Sequence, residues 1–308
     1  MKTDSALEKI LTAGYLAVTS ECGPPRGADA EDIRKKAACL SGVVDAVNIT
    51  DNQTAMVRMS SFGASVIVKQ EGLNPLLQMV TRDRNRLAMQ ADILGAYALG
   101  IDTMLCLSGD HTRFGDHPMA ANVHDIDSIQ LIQMVRTMRD EALFQGGAEI
   151  KKGAPKMFIG AAANPFADPF ELRVMRLAKK VAAGADFIQT QCIFNVPKFE
   201  RWMAGVREMG LHKKCYIMAG ITPIKSVGAA RYMRNRVPGM DVPAQLVERI
   251  GSVPKEEQAE EGIKVCIETI ERLKNVEGVA GFHIMAIDWE EKVAEICERA
   301  GLLPRPQI

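Results

Sequence analysis

Eight short apolar runs, at 16–21, 44–50, 75–81, 103–108, 157–162, 186–191, 214–219 and 280–286, alternate with longer stretches of helical period along the whole chain. Strands separated by helices pair in parallel, because a crossover of a dozen or more residues is what returns the chain in the same direction. Eight such units in 308 residues suit one closed barrel better than an open doubly wound sheet. The reading is therefore an α/β protein, a (β/α)8 TIM barrel forming a single domain over 1–308. Helical stretches are expected at 29–39, 84–98, 126–144, 170–183, 197–208 and 224–235. Two more, at 242–250 and 255–274, precede the last strand, and 289–299 follows it. In 126–144 the residues Ile126, Ile129, Leu131, Ile132, Met134 and Val135 make an apolar face, with Asp125 or Asp127 placed to cap its start.

The bulk properties narrow the partners. Lys plus Arg number 38 and Asp plus Glu number 38, so the formal charge is zero. A chain without a net field is poorly suited to nucleic acid or an anionic membrane, which favours a small-molecule substrate. The seven cysteines are scattered with no C-x-x-C pair, the usage of reduced thiols rather than of a disulfide or zinc framework. The charged start Met-Lys-Thr-Asp has no apolar signal core, and no run nears the roughly 18 apolar residues of a membrane span. A soluble cytoplasmic protein is expected.

The strand ends carry the chemistry. The first run closes Thr19-Ser20-Glu21-Cys22, and Gly23-Pro24-Pro25 then forbids its continuation. A carboxylate is thereby set at the end of a barrel strand where active sites are built. The other ends are also polar: Asn48-Ile49-Thr50-Asp51-Asn52, Thr81-Arg82-Asp83, Ser108-Gly109-Asp110, Asn164-Pro165, Gln189-Thr190-Gln191, Thr222-Pro223 and His283. A polar mouth over an apolar barrel suits a ligand with several hydrogen-bonding edges. Plainer roles compete. Glu21 or Asp110 alone is as well suited to an ion pair with Arg26 or Arg82 as to catalysis, and Asp83 is placed as a helix N-cap. His111, His117 and His124 are spaced six and seven residues apart, which matches no compact ligand set, so no metal is expected. Cys22 reads as a buried thiol.

Taken in order, Ser20-Glu21 with Pro24-Pro25-Arg26, Thr81-Arg82-Asp83-Arg84-Asn85 and Gly109-Asp110 resemble the 5,10-methylenetetrahydrofolate reductase family. The likeness continues through Lys179-Lys180-Val-Ala-Ala-Gly184-Ala185-Asp186, Thr190-Gln191-Cys192-Ile193-Phe194, Gly220-Ile221-Thr222-Pro223 and Phe282-His283, spanning nearly the whole chain. The resemblance implies a barrel that holds a flavin, usually FAD. It also implies reduction of 5,10-methylenetetrahydrofolate to 5-methyltetrahydrofolate, with NADH or NADPH as the usual donor. Glu21 matches the acid that protonates the departing nitrogen as the substrate ring opens to its 5-iminium form. Asp110 matches the carboxylate beside flavin and folate, which stabilises that cation. Thr50, Thr81, Ser108, Gly109, Asn164 and Lys180 fall where the family contacts flavin, and Lys180 is suited to a phosphate. Gln191 and His283 fall on the folate side.

The chain departs from the commoner members at several positions. Ser108 replaces an arginine, Met79 a histidine and Asn164 a tyrosine, and Ala286-Ile287-Asp288-Trp289-Glu290 replaces Leu-Asn-Arg. These departures make FMN the alternative to FAD. They resemble variants from anaerobic folate pathways, which work beside a second subunit; a homo-oligomer or such a complex is expected, and the donor is either nicotinamide or partner-supplied. Two other functions stay open on sequence: a flavin-free pterin-binding methyltransferase barrel, and a non-catalytic folate-binding subunit.

Overall fold

In a computed structural model describing residues 1–237 and 239–308, the eight runs close in sequence order into one parallel barrel. The strands are β1 (Ala17–Cys22), β2 (Ala46–Ile49), β3 (Pro75–Val80), β4 (Thr103–Leu107), β5 (Phe158–Ala163), β6 (Phe187–Cys192), β7 (Tyr216–Ile221) and β8 (Val279–Ile284). Each lies within two residues of its expected bounds. The helices are α1 (Ala6–Thr12), α2 (Ala30–Leu40), α3 (Ser61–Gln70), α4 (Arg86–Ala98), α5 (Ser128–Asp140) and α6 (Leu172–Ala183). They continue as α7 (Val196–Glu208), α8 (Val227–Arg236), α9 (Ala244–Gly251), α10 (Gln258–Leu273) and α11 (Lys292–Arg299).

Two local differences from the sequence reading have physical causes. Helix α3 does not show in the pattern because Gly63 and the run Val66-Ile67-Val68 look unlike a helix; the Ser60 hydroxyl caps it by accepting from the Gly63 N–H (3.1 Å). The expected helix 126–144 stops at Asp140, because Gly146-Gly147 turns the chain into a small hairpin bridging Leu143 and Glu149. Its cap is Asp127, in a reciprocal box with Gln130, while Asp125 instead binds Arg86.

Alternation along the strands divides the interior. Outward positions pack against the surrounding helices in one continuous apolar layer. Inward positions near the strand starts, Ala17, Ala46, Leu76, Leu105, Phe158, Phe187 and Met218, form a separate dry cluster. Leu7, Ile10 and Leu11 of α1 join it and close the barrel from below. Phe158 and Phe187 stack there with ring centroids 5.1 Å apart. Gly160 makes that possible, since a Cβ on it would lie 2.2 Å from the Phe187 ring.

Two residues further along, the inward positions turn polar: Thr19, Asn48, Gln78, Gln189 and His283, all buried. Below, two buried carboxylates tie the chain ends to the barrel. Asp186 accepts from Arg139 (2.6 Å), Lys2 (2.5 Å) and the Ile159 N–H (2.9 Å). Asp45 accepts from Arg305 (2.6 Å) and the Val18 N–H (2.7 Å). All seven cysteines are free, and among the described residues no helix is long and apolar enough to cross a membrane.

Candidate active site

A cavity of about 350 Å³ opens at the C-terminal ends of the strands. Glu21, Gln78, Gln189, Gln191 and His283 give it polar groups, and Leu105, Leu107, Ala162, Ala163 and Met285 an apolar wall. Asn164 and the α6 residues Arg173, Arg176 and Lys180 complete the opposite charge set, with Glu21 the one carboxylate in the lining.

Glu21 stands at the end of a buried hydrogen-bonded chain. Asn48 and Gln189 exchange amide hydrogen bonds (2.7 and 3.1 Å), which fixes both side chains. The second Gln189 N–H donates to the Thr19 hydroxyl (3.0 Å). Thr19 and His283 are register partners of β1 and β8, and the hydroxyl lies 3.0 Å from the imidazole Nδ1. With the Thr19 proton directed to Nδ1, the ring presents an Nε2–H on its opposite side. That nitrogen is 3.6 Å from Glu21 Oε1. The ring is thereby oriented toward the acid by groups that are themselves buried.

Gln191 is presented by an irregularity. The β6–β7 register shifts between Gln189 and Cys192, and the Thr190 hydroxyl accepts from the Gly220 N–H (2.9 Å). A Cβ at Gly220 would sit 2.3 Å from the Thr190 carbonyl, so this close approach requires glycine. The Gln191 Oε1 accepts from the Cys192 N–H (2.9 Å), leaving its amide N–H groups uncommitted.

The remaining expected residues fall around the rim. Thr50 and Thr81 follow β2 and β3; both hydroxyls are buried with no hydrogen-bond partner, and neither residue lines the cavity. Ser108, Gly109 and Asp110 follow β4 just beyond Leu107, outside the cavity lining. Gly109 has φ +82, and a Cβ there would meet Val80 at 3.0 Å, so the turn depends on glycine. Asp110 is exposed, and its carbonyl accepts from Arg82 (2.9 Å).

Several competing roles are settled by these contacts. Arg82 pairs with the Asp83 carboxylate (2.6 Å) and Arg26 with Asp116, so neither neutralises Glu21 or the Asp110 carboxylate. Asp83 is not the cap of α4; Asn85 is, accepting from the Ala88 N–H (3.0 Å). Burial pushes the Cys22 thiol up to about 12, which leaves it protonated and inert. Among the described residues no three His, Cys, Asp or Glu side chains converge as a metal site.

Lys180 reaches back to the Ala162 carbonyl (2.5 Å), and burial, followed by the charge of Arg176, pushes its ammonium down to about 8. Arg173 donates to the carbonyls of Asp168 (2.9 Å) and Pro169 (3.2 Å). Asn164 donates to the Gly239 carbonyl (3.0 Å) and accepts from the Phe166 N–H (2.9 Å).

Sequence reasoning missed Gln78, Arg173 and Arg176, and gave Gln189 no role beyond a polar strand end. The signals were present: Gln78 interrupts an apolar strand, Gln189 shares a strand face with Gln191, and the arginines sit seven and four residues before Lys180.

Comparison with known proteins agrees with this arrangement. The sequence model described as methylenetetrahydrofolate reductase matches residues 6–301. The probable methylenetetrahydrofolate reductase (NADPH) of Caenorhabditis elegans is 24% identical over 248 residues, covering 80% of this chain and 35% of that protein. Methylenetetrahydrofolate reductase 2 of Schizosaccharomyces pombe is 26% identical over 265 residues, covering 83% of this chain and 40% of that one. The chain thus spans about two fifths or less of the length of these relatives. Among solved structures, an uncharacterized Clostridium thermocellum protein that binds two copies of 5-methyl-5,6,7,8-tetrahydrofolic acid superposes with a TM-score of 0.63. It is 12% identical and the match covers 97% of this chain and 99% of that one, a likeness of fold.

Proposed function

The chain belongs to the methylenetetrahydrofolate reductase family, and from that premise we propose that it reduces 5,10-methylenetetrahydrofolate to 5-methyltetrahydrofolate with a flavin at the barrel mouth. The observation that carries the reading is Glu21: a single carboxylate in the cavity, backed by an oriented imidazole 3.6 Å away. Ring opening needs one proton at the departing nitrogen, and a positioned carboxylic acid supplies it. The C–N bond breaks as the proton arrives, leaving a 5-iminium cation and the Glu21 carboxylate. The Nε2 proton of His283 faces that new negative charge, and the Thr19–Gln189–Asn48 chain keeps the ring from turning away. Gln191 offers free amide N–H groups to the acceptor edge of the pterin, while the role of Asp110 as the carboxylate beside the cation rests on the family resemblance alone, since it stands exposed outside the cavity lining.

The residues present fit a flavin. The small residues Ala162 and Ala163, the amides of Gln78 and Gln191 and the cationic α6 face, all in the cavity lining, match flat ring, polar edge and phosphate in turn. When bound, the flavin supplies the hydride that the substrate's methylene carbon receives. The nicotinamide named for the Caenorhabditis elegans relative is the proposed source of electrons, and a partner subunit the alternative.

The test is the visible spectrum of the purified protein, followed by anaerobic reduction and mixing with 5,10-methylenetetrahydrofolate. Flavin absorbance that bleaches on reduction and returns on adding the folate is expected. A colourless protein that still binds folate points instead to a methyltransferase or a binding subunit.

A further inference from the structure

Directly above the apolar floor of the barrel lies a layer of buried polar side chains: Thr19 from β1, Asn48 from β2, Gln189 from β6 and His283 from β8. Two residues earlier, β1, β2 and β6 place Ala17, Ala46 and Phe187 in the dry cluster. Shutting four polar groups away from water is costly unless each is satisfied, so this layer calls for a reason. It is satisfied, and it has a direction. Asn48 and Gln189 meet across the barrel from strands that do not pair, and lock as a doubly bonded amide pair. One Gln189 N–H is left, and it points at the Thr19 hydroxyl (3.0 Å). An N–H cannot accept, so among the described residues the one acceptor for the Thr19 proton is Nδ1 of His283, 3.0 Å away. A proton on Nδ1 would leave that buried hydroxyl hydrogen without a partner. The ring proton is therefore on Nε2, the nitrogen 3.6 Å from Glu21 Oε1.

We propose that Gln189, clamped by Asn48, is a positioning residue that fixes which way the protons point along this chain, so that His283 donates toward Glu21 and cannot accept its proton. The inference rests on the reading of Glu21 as the acid and adds what keeps its proton free for the substrate. With Nε2 protonated, no base stands at that side of the carboxylic acid. The Glu21 proton passes to the departing nitrogen, the electron pair of the breaking C–N bond stays on that nitrogen, and the Nε2–H closes on the carboxylate left behind. A separation of 3.6 Å before reaction is ordinary for such a contact, which tightens as charge appears. Reversing the chain reverses the outcome. An oxygen facing Thr19 from position 189 would take the hydroxyl proton, and the hydroxyl oxygen would then accept from an Nδ1–H. A bare Nε2 would hold the Glu21 proton back from the substrate.

The experiment is a proton–nitrogen correlation spectrum of the full chain with nitrogen-labelled histidine, recorded at about pH 8, above the ordinary imidazole range. It separates protonated from bare ring nitrogens and needs no turnover. The chain has five histidines, and the signal lost in His283→Asn identifies the one in the barrel. Wild type is expected to show Nδ1 bare and Nε2 protonated. Gln189→Glu is nearly isosteric and sets an acceptor where the amide donor was, whether it is ionised or keeps its proton on the Asn48 carbonyl. His283 should then carry a proton on Nδ1. Thr19→Ser keeps the hydroxyl and should keep the wild-type pattern, while Thr19→Val should lose the preference. In the folate half-reaction Gln189→Glu should lower the rate at saturating substrate about tenfold, the cost of first breaking one hydrogen bond to the acid, with a smaller change in folate affinity. Wild-type His283 protonated on Nδ1 overturns the proposal, and that measurement needs no Gln189 variant, so a misfolded one does not remove the test. Gln189→Glu with the wild-type ring pattern overturns it, and so does a moved ring proton with an unchanged half-reaction rate. A wild type that has the expected ring protons but reduces no folate sinks the reaction reading above and leaves the direction of the chain standing.

Discussion

The interior of the barrel treats charge differently at its two ends. At the N-terminal end, Asp45 and Asp186 are buried and each is held by an arginine and a backbone N–H. Between them sits a dry layer closed by α1. At the C-terminal end the rim keeps paired charges, Arg82 with Asp83 and Arg84 with Asp51, but within the cavity Glu21 faces only an imidazole at 3.6 Å. The same eight strands build both ends, and inward positions two residues apart change from Leu76 to Gln78 and from Phe187 to Gln189. Satisfied charges and close packing make the lower end a scaffold. The buried Lys180 ammonium, held without a carboxylate, is a cost in the free protein that a bound anion relieves, and this asymmetry marks the working end.

The sharpest way to break the comparison is to move damage to the scaffold end. Phe187 is fully buried against Phe158 and fills the space left by Gly160. Phe187→Ala should cost about 3–5 kcal/mol of stability through lost burial and a cavity. At temperatures where the variant remains folded, ligand affinity at the mouth should stay close to wild type. Urea unfolding monitored by circular dichroism measures the first, and folate titration the second. A stability loss below about 1 kcal/mol would mean that the lower layer collapses freely and is no rigid base.

Glu21→Gln tests the working end. Removing a positioned acid should slow folate reduction on the order of a hundredfold or more, while flavin reduction by the donor stays nearly unchanged. Rapid-mixing measurement of the two half-reactions separates them. Equal loss in both places Glu21 in the structure rather than in the chemistry. His283→Asn should slow the same half-reaction by less, because the acid remains and only its oriented neighbour is lost.

The barrel was legible because alternation of short apolar runs with helices is a strong periodic signal, and all eight strands lie where it placed them. Glu21 was legible for a local reason: an acid followed by Gly-Pro-Pro has to end a strand. The Thr19–His283–Glu21 arrangement was not, because it joins β1 to β8 across 264 residues and depends on barrel register. Arg82 illustrates the opposite failure. Sequence offered it to Glu21 or Asp110, whereas the short link to the neighbouring Asp83 takes its guanidinium. Lys180 was expected at the flavin from the resemblance, whereas Arg173 and Arg176 were not singled out, and only the position of β5 and β6 beside α6 shows which of its faces lines a cavity.

The smallest expected effect concerns Lys180, where the two ends can be made alike. Its ammonium titrates near 8 in the folded protein, below the ordinary lysine value, because it is buried beside Arg176. Between pH 8 and the unfolded value the unfolded chain binds more protons, so the stability of the free protein should rise with pH through that window. Below about 8 both states are charged and the penalty is complete. Lys180→Met removes the charge and should stabilise the ligand-free protein by about 1 kcal/mol at neutral pH, an advantage that fades as pH climbs through the window. The sign reverses with ligand. A bound flavin phosphate stabilises the charged wild type by mass action, so saturating flavin should raise the wild-type melting temperature more than that of the variant. Thermal unfolding at pH 7 and pH 10, with and without FAD or FMN, reads all the states. A variant that is less stable than wild type without ligand at pH 7 would show that the bond from Lys180 to the Ala162 carbonyl outweighs the burial of its charge, and the unpaired cation would then be a structural strut rather than part of a waiting anion site.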